Sequence, residues 1–331
     1  MLGKKLAIDI GTSTLRLQAK GDQPLGPEPS LVAVEEVSGR VLAAGVAAGQ
    51  ARDGVSMVAP VHDGAIGDVA AYEALLQHAL TRAVGRQRIF KPDVMLAVMS
   101  AMSGRDRRLL MEMAVRAGAR TTYLIDAPLA AASGAGLPVT TVHGHLVVDA
   151  GAGKTDVAVV SVESLIVGRC VRRGGHHLDA AIARHLAAAH GLAVTADVAE
   201  DVKLEIGAAV PLPEERRLLV RGIDVSSGEE AEVRVSSTEI GEVVRVELQD
   251  LGQALREVVD EAPPELLDDV RHDGAVLTGG AARLRGLDRW VSGVIGVPVR
   301  VAGEPEGCVV RGVATALDNL DVMRRNFLYI R

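Results

Sequence analysis

Two short segments carry the residue types that can hold a phosphate chain and a cation. The first is Asp9-Ile10-Gly11-Thr12-Ser13-Thr14, directly after an apolar run. Without a Cβ, Gly11 lets the backbone approach a ligand, and the N–H groups and hydroxyls after it can point at that ligand. A carboxylate beside phosphate needs a cation to offset the repulsion, so Asp9 suits Mg2+, held through water. An ordinary hairpin turn with an Asp at its end has the same sequence, so this segment alone leaves both readings open. The second segment, Asp149-Ala150-Gly151-Ala152-Gly153-Lys154-Thr155-Asp156, repeats the arrangement with more glycine. Asp149 is the counterpart of Asp9, and Lys154 can add positive charge for phosphates. Neither segment has the spacing of the single-lysine P-loop or of the dinucleotide fingerprint. Two such turns, each after a buried strand with an Asp in register, point to a nucleotide where one would not.

Other positions carry weaker signals. Thr278-Gly279-Gly280, followed by Ala281, stands between an apolar run and a helical pattern. A glycine pair there lets a flat ring lie on the backbone and a phosphate approach a helix start. Glu200 and Lys203 share a helix face at i and i+3, which fits a ligand contact or a surface ion pair. Asp126 opens a helix with Pro128 in its first turn, so its carboxylate is either an N-cap or a group aimed at a substrate. Ile89 and Phe90 lie between Arg86, Arg88 and Lys91. An apolar wedge ringed by cations suits an anionic membrane surface; the other reading folds Phe90 onto the core.

The elements that must position these groups follow from periodicity. The spacing predicts a hairpin over 6–19, strands over 30–36 and 41–44, and a helix over 71–84. It predicts strands at 94–98 and 123–125, a helix after Ser103 through 118, and another from 126 to 133. A second hairpin spans 146–162. Helices follow at 178–190 and 199–206, then a solvent-facing hairpin over 216–221 and 232–235. One long helix is expected over 237–259, a strand over 275–277, and a helix from the Gly279 turn through Trp290. Two copies of one α/β unit imply two lobes with a cleft between them.

Composition sets the bounds. The 331 residues allow roughly two domains, since ~150 residues per domain is typical. Apolar residues make up 48% and aromatics only 2%, so the core must be aliphatic and small. A net charge of −7 removes a basic nucleic-acid footprint, and no nucleic-acid partner is expected. Cys170 and Cys308 cannot form a disulfide framework or a zinc site and read as reduced core thiols. No signal peptide or apolar run long enough for a membrane span is legible, which points to the cytoplasm.

The order of these segments resembles the actin, heat-shock ATPase and sugar-kinase superfamily, and within it the MreB family of bacterial actin-like cell-shape proteins. IDIGTSTLRLQAKG (8–21), PSLVAVEEVSGRVLAAG (29–45), VHDGAIGDV (61–69) and GARTTYLIDAPLAAASGAGLPV (118–139) are similar to family motifs in order. So are LVVDAGAGKTDVAVVS (146–161), EDVKLEIGAA (200–209) and GAVLTGGAARLRGLDRWVSGVIGVPV (274–299). The resemblance implies an α/β actin-like ATPase fold, two lobes each with a duplicated ribonuclease-H-like core around a nucleotide cleft. It implies subdomain IA over 1–31, 71–143 and 316–331, IB over 32–70, IIA over 144–178 and 244–315, and IIB over 179–243. ATP and Mg2+ are the implied cofactors. Asp9, Gly11, Thr12, Ser13 and Thr14 would meet phosphate or Mg2+ on one side, and Asp149, Gly151, Ala152, Gly153, Lys154 and Thr155 on the other. Gly279, Gly280 and Ala281 would floor the adenine, with Glu200, Lys203 and Gly207 at the adenosine.

The family position matching Asp126 orients the attacking water and is usually Glu; here it is one methylene shorter, and Ala127 follows where relatives often carry a second Glu. Gly175-His176 stands where the family has Gly-Asp. The resemblance further implies self-assembly into filaments, as paired protofilaments, at the inner face of the cell membrane. It also implies membrane contact through Ile89 and Phe90, and cell-wall elongation membrane proteins as partners. Slow, polymer-linked ATP hydrolysis is expected. A nucleotide-binding scaffold with little hydrolysis and a small-molecule kinase of the same fold are the alternatives. A chaperone would need a substrate-binding domain after the last helix near Ala316, which leaves too little chain for one.

Overall fold

The computed structural model describes residues 4–49, 53–85, 91–320 and 329–330. Two large sheets form the frame. The first runs, in spatial order, Tyr329–Ile330, Thr121–Asp126, Asp93–Val98, Lys5–Ile10, Thr14–Ala19 and Leu25–Pro29. The second runs Ser164–Val171, Thr155–Ser161, His145–Ala150, Ala275–Thr278 and Val299–Val301. Each contains a three-strand antiparallel meander whose first strand ends near an Asp, Asp9 in one and Asp149 in the other. The free edge of that first strand pairs in parallel with a later strand. The doubled α/β unit expected from the two Asp-Gly hairpins is present. Smaller sheets flank the frame: Val41–Ala44, Val32–Glu35 and Val55–Val58 beside the first, and Leu192–Ala193, Arg217–Asp224 and Glu230–Ser236 beside the second.

Local chemistry explains the elements. Thr155–Ser161 is buried along its whole length, so its run of Val and Ala does not alternate with polar residues. Along the Arg217–Asp224 hairpin strand it is burial that alternates, because one of its faces meets water. Asp68 caps the helix Val69–Val84 by accepting the Ala71 N–H at 2.8 Å. Ser103 caps Gly104–Arg116 through the Asp106 N–H at 3.1 Å and donates back to Asp106 Oδ2 at 2.8 Å. Gly191, with φ 65°, ends the helix Gly175–His190 in the left-handed conformation that glycine adopts without strain.

Three large apolar clusters of the described residues hold the molecule. One is built on the first sheet around Leu6, Ile8, Leu75, Leu96 and Met111. Another is built on the second sheet around Val148, Val157, Ile182, Leu255 and Leu277. The third is shared. It joins Ala7, Met95 and Ile125 of the first sheet to Val147, Ala158 and Val160 of the second. Two helices, Ala127–Gly134 and Cys308–Asp318, supply the rest of this shared core through Ala130, Ala131, Val310 and Val313. They approach closely because Gly134 and Gly312 face each other's partner helix. A Cβ on Gly134 would overlap the Cys308 carbonyl, and one on Gly312 would overlap the Ala130 carbonyl.

The structure departs from the periodicity in places. The long helix over 237–259 is two helices, Ser237–Glu247 and Gln249–Glu261, meeting at Leu248. Ile240, Val244, Leu248, Leu251, Leu255 and Val258 keep one apolar stripe through the break, so the sequence pattern does not register it. The Gly279 turn leads into a short 3-10 segment, Gly280–Arg283, and Trp290 belongs to a separate helix, Leu287–Ile295, started by Gly286 at φ 71°. Leu25–Pro29, Ser164–Val171, Val299–Val301 and the helix Pro264–Asp273 were not expected. Ile89 and Phe90 lie outside the described residues.

Candidate functional site

A cavity of about 430 Å³ opens between the two large sheets, within the ~300–1,000 Å³ usual for small-molecule sites. The two Asp turns form its floor and are built alike. The Gly11 N–H donates to the Thr14 carbonyl at 2.9 Å, and the Gly151 N–H donates to the Lys154 carbonyl at 2.8 Å. Asp9 stands opposite Arg16 in its hairpin, and Asp149 stands opposite Asp156. Gly153 packs on Thr12; a Cβ there would lie 2.5 Å from Thr12 Oγ1, so only glycine lets the turns come this close. Asp9, Gly11, Thr12, Ser13, Thr14, Asp149, Gly151, Ala152, Gly153 and Lys154 all line the cavity, as the sequence grouped them.

The electrostatics favour a cation. Burial, then the charge of Asp149, pushes the Asp9 carboxyl up to about 6, against the pull of Arg16 and Lys154. Burial raises Asp149 too, although Lys154 and a 2.9 Å hydrogen bond from Thr278 Oγ1 oppose it. Asp149 raises the proton affinity of Asp9, Asp156 raises that of Asp149, and carboxylates crowded in this way are a donor set that fits a hydrated divalent ion. Lys154 already serves part of that need. Burial works against its charge, but Asp156 and Asp149 outweigh it and hold the ammonium well above its usual range. Its Nζ is ion-paired with Asp156 and lies 3.9 Å from Asp149 Oδ2. Asp156 is fully buried and also accepts from Ser100 Oγ at 2.6 Å.

The remaining walls come from the second sheet. Gly279, with φ 83°, must be glycine, because a Cβ would overlap the Ala150 carbonyl. Gly280 is different: an added Cβ meets nothing closer than Glu306 Cγ at 3.8 Å, so this glycine leaves open space in the cavity wall. Ala281 follows on the same wall. Glu200 is more than half exposed at the rim, while Lys203 is buried and gives its ammonium to Asp179 at 2.7 Å, with Glu200 at 3.7 Å.

Three expected residues sit differently. Thr155 Oγ1 donates to the Arg173 carbonyl at 2.9 Å and does not line the cavity. Gly207 caps a helix behind the wall. Asp126 is the N-cap residue of Ala127–Gly134, yet its side chain makes no capping hydrogen bond. Its carboxylate is ion-paired with Arg107, and Ala127, not Asp126, lines the cavity.

Several cavity residues escaped the sequence reading. Arg16 could have been found: it is a charged residue in a buried hairpin strand, in register with Asp9. Arg283 and Glu306 are paired on the wall, 3.1 Å from Nη2 to Oε2, and are too far apart in sequence to leave a local signal. His176 Nε2 lies 2.7 Å from Ser13 Oγ, bridging the two sides of the cavity. His177 Nε2 and Asp63 Oδ1, 3.5 Å apart, make a second bridge.

Known proteins match this arrangement along its whole length. The chain is 36% identical over 332 residues to the cell shape-determining protein MreB of Escherichia coli K12, covering 97% of this chain and 95% of the relative. It is 31% identical over 332 residues to the cell shape-determining protein Mbl of Bacillus subtilis 168, covering 99% and 100%. Among solved structures, MreB5 of Spiroplasma citri superposes with a TM-score of 0.90 at 29% identity, covering 98% of this chain and 99% of that one, in both ADP-bound and AMPPNP-bound crystals. The MreB/Mbl protein family matches residues 3–325, and the chain, with its paired Asp turns and doubled sheets, belongs to that family.

Proposed function

We propose that this chain is an actin-like cytoskeletal protein that binds an adenine nucleotide between its two halves and assembles into filaments that govern cell shape. The observation that carries the reading is the pair of matching Asp turns, one from each large sheet, facing one cavity. The outer sheets correspond to the small subdomains of 32–70 and 179–243. ATP is the nucleotide and Mg2+ its counter-ion; Asp9 and Asp149 would hold the ion through water, and it would offset phosphate charge. The turns at Thr12-Ser13 and Ala152-Gly153 present backbone to the phosphates. Gly280 and Ala281 receive the base, with Glu200 at the ribose side.

Hydrolysis is slow and tied to the polymer. Phosphoryl transfer depends on positioning an attacking water. Asp126 is the carboxylate for that task, but Arg107 holds it away from the cavity. A rearrangement on assembly that releases Asp126 would switch hydrolysis on. The same ion pair favours a second reading, a nucleotide-binding scaffold that barely hydrolyses ATP. Calorimetry, sedimentation and phosphate release on three proteins test both. Gly280→Arg fills open cavity space and should abolish ATP binding while the chain still folds. Asp126→Ala should keep binding and filaments but lose phosphate release. Unchanged ATP affinity in folded Gly280→Arg would overturn the cleft assignment. A parent without phosphate release would favour the scaffold, and release at the parent rate in Asp126→Ala would remove that residue from the reaction.

The filaments lie on the inner face of the cell membrane, with cell-wall elongation proteins as neighbours. Among the described residues no helix is long and apolar enough to cross a membrane. The support is the wedge Ile89-Phe90 between Arg86, Arg88 and Lys91. Burying both side chains contributes at most about 3–5 kcal/mol per subunit, so stable attachment requires many subunits. Replacing them by Ser and Gly should release filaments from anionic vesicles and leave polymerisation intact. Equal vesicle co-sedimentation of variant and parent would show that the wedge does not bind lipid.

A further inference from the structure

A second group of ligating side chains lies away from the nucleotide cavity. The helix Gly175–His190 starts at the cavity, and its C-terminal half carries His185 and His190 roughly 15 and 22 Å further along, at about 1.5 Å of rise per residue. Both rings point Nε2 at one oxygen, Glu239 Oε1, each at 2.6 Å. Glu239 is fixed from its own side. It stands in the first turn of Ser237–Glu247, where its N–H donates to Ser236 Oγ at 3.2 Å. The three ligand atoms lie within 4.8 Å of one another. The rings are not stacked: their centroids are 6.1 Å apart and their planes meet at 76°, so they approach the carboxylate from different directions. All three side chains are between a quarter and a third exposed, which leaves room for a solvent molecule.

We propose that His185, His190 and Glu239 form a binding site for a borderline divalent transition-metal ion of the Zn2+ class, with solvent as the fourth ligand. A single ion pair needs one cation, whereas here two imidazoles converge on one carboxylate oxygen. That donor set, two nitrogens and one oxygen, is the one Zn2+ takes with an open position. Mg2+ and Ca2+ prefer oxygen alone, so this site and the cleft select different ions. Zn2+ holds imidazole nitrogen and carboxylate oxygen at about 2.1 Å, which sets ligand atoms about 3.4 Å apart. The two 2.6 Å pairs therefore have to open by several tenths of an ångström, a change that side-chain rotation supplies. The ion would clip the last turn of one helix to the first turn of another. Between them the chain runs through the three-stranded sheet that starts at Leu192–Ala193 and ends at Glu230–Ser236. This binding is independent of nucleotide and of assembly.

The test uses the full chain, free of any tag and stripped of metal. Co2+ should bind at one equivalent per chain, with visible d–d absorption that Zn2+ bleaches. Zn2+ in excess should raise the melting temperature by several degrees, and Mg2+ at the same concentration should not. His185→Gln with His190→Gln should lose both the absorption and the Zn2+ shift. Glu239→Gln should weaken Co2+ binding on the order of tenfold or more. If the folded parent shows neither absorption nor a Zn2+ shift, or if the double variant keeps both, the three side chains are a hydrogen-bonded brace and the assignment fails. Should the double variant not fold, the parent spectrum and Glu239→Gln decide the matter alone.

Discussion

Lys154→Met is expected to lower the stability of the ligand-free protein by about 3–5 kcal/mol, the usual cost of leaving one partner of a buried ion pair uncompensated. Asp156 is fully buried and Asp149 nearly so, and Lys154 is the ammonium paired with the first and within 3.9 Å of the second. Methionine keeps the unbranched side chain out to Cε and lacks only the ammonium. That matters because Lys154 packs over Gly64, where even a methyl group would come within 2.5 Å of its Cδ. The loss is therefore one of charge more than of packing. Ser100 Oγ can still donate to Asp156, but a hydroxyl does not neutralise two carboxylates. The variant should melt at least about 4 °C below the parent. Mg2+ should restore more stability to the variant than it adds to the parent, since the ion then supplies charge that Lys154 supplied before. Melting temperatures that agree within about 1 °C without metal would mean that the ammonium contributes no net stability to this cluster.

Gly312→Val should leave little folded protein. The overlap it creates is with the Ala130 carbonyl of the facing helix, which is backbone and cannot rotate away. Relief requires the two helices of the shared core to separate, and that core holds both large sheets. Overpacking of this kind costs more than the ~1–3 kcal/mol typical of an extra methylene in a yielding core, because no flexible side chain absorbs it. Gly312→Ala should already cost several kcal/mol by the same contact. Gly293 is the control. It lies in the helix Leu287–Ile295, and nothing lies within 4 Å of an added Cβ. Gly293→Ala should stabilise by roughly 0.5–1 kcal/mol through helix propensity. Thermal unfolding of the three variants beside the parent checks the order. A Gly312→Ala melting temperature equal to the parent's would show that the crossing is loose.

The residues that announce themselves in the sequence are those whose partners are local. Asp9 and Asp149 stand two to six residues from the glycines and hydroxyls that share their turns, so the turns were legible, and two of them were enough to place a cleft between two halves. The helix start at Ser103 was legible for the same reason, since a cap and the N–H it accepts are three residues apart. What the sequence hid was long-range. Arg107 meets Asp126 from another helix, Arg283 meets Glu306 across the cavity wall, and His176 reaches Ser13 from the opposite half. No spacing encodes such pairs. The break at Leu248 was hidden for a different reason: a kink that preserves the apolar stripe leaves the pattern unchanged. Strands at sheet margins, such as Val299–Val301, are short and half-exposed, so their composition does not separate them from loops.

The likeness of the two Asp turns raises a question of orientation. A frame with near two-fold symmetry offers an elongated ligand two ways to lie, and the frame by itself cannot choose between them. The choice has to be written in whatever the halves do not share. Beyond the strand parallel to Asp149's, the backbone continues as Gly279-Gly280 and leaves a bare peptide surface. Beyond the equivalent strand on the other side comes Met99, 5% exposed, which also lines the cavity. One side presents bare peptide to the cavity where the other presents a thioether. The likeness of the turns therefore stops at the walls beside them, and a ligand long enough to span the cavity meets two unlike ends.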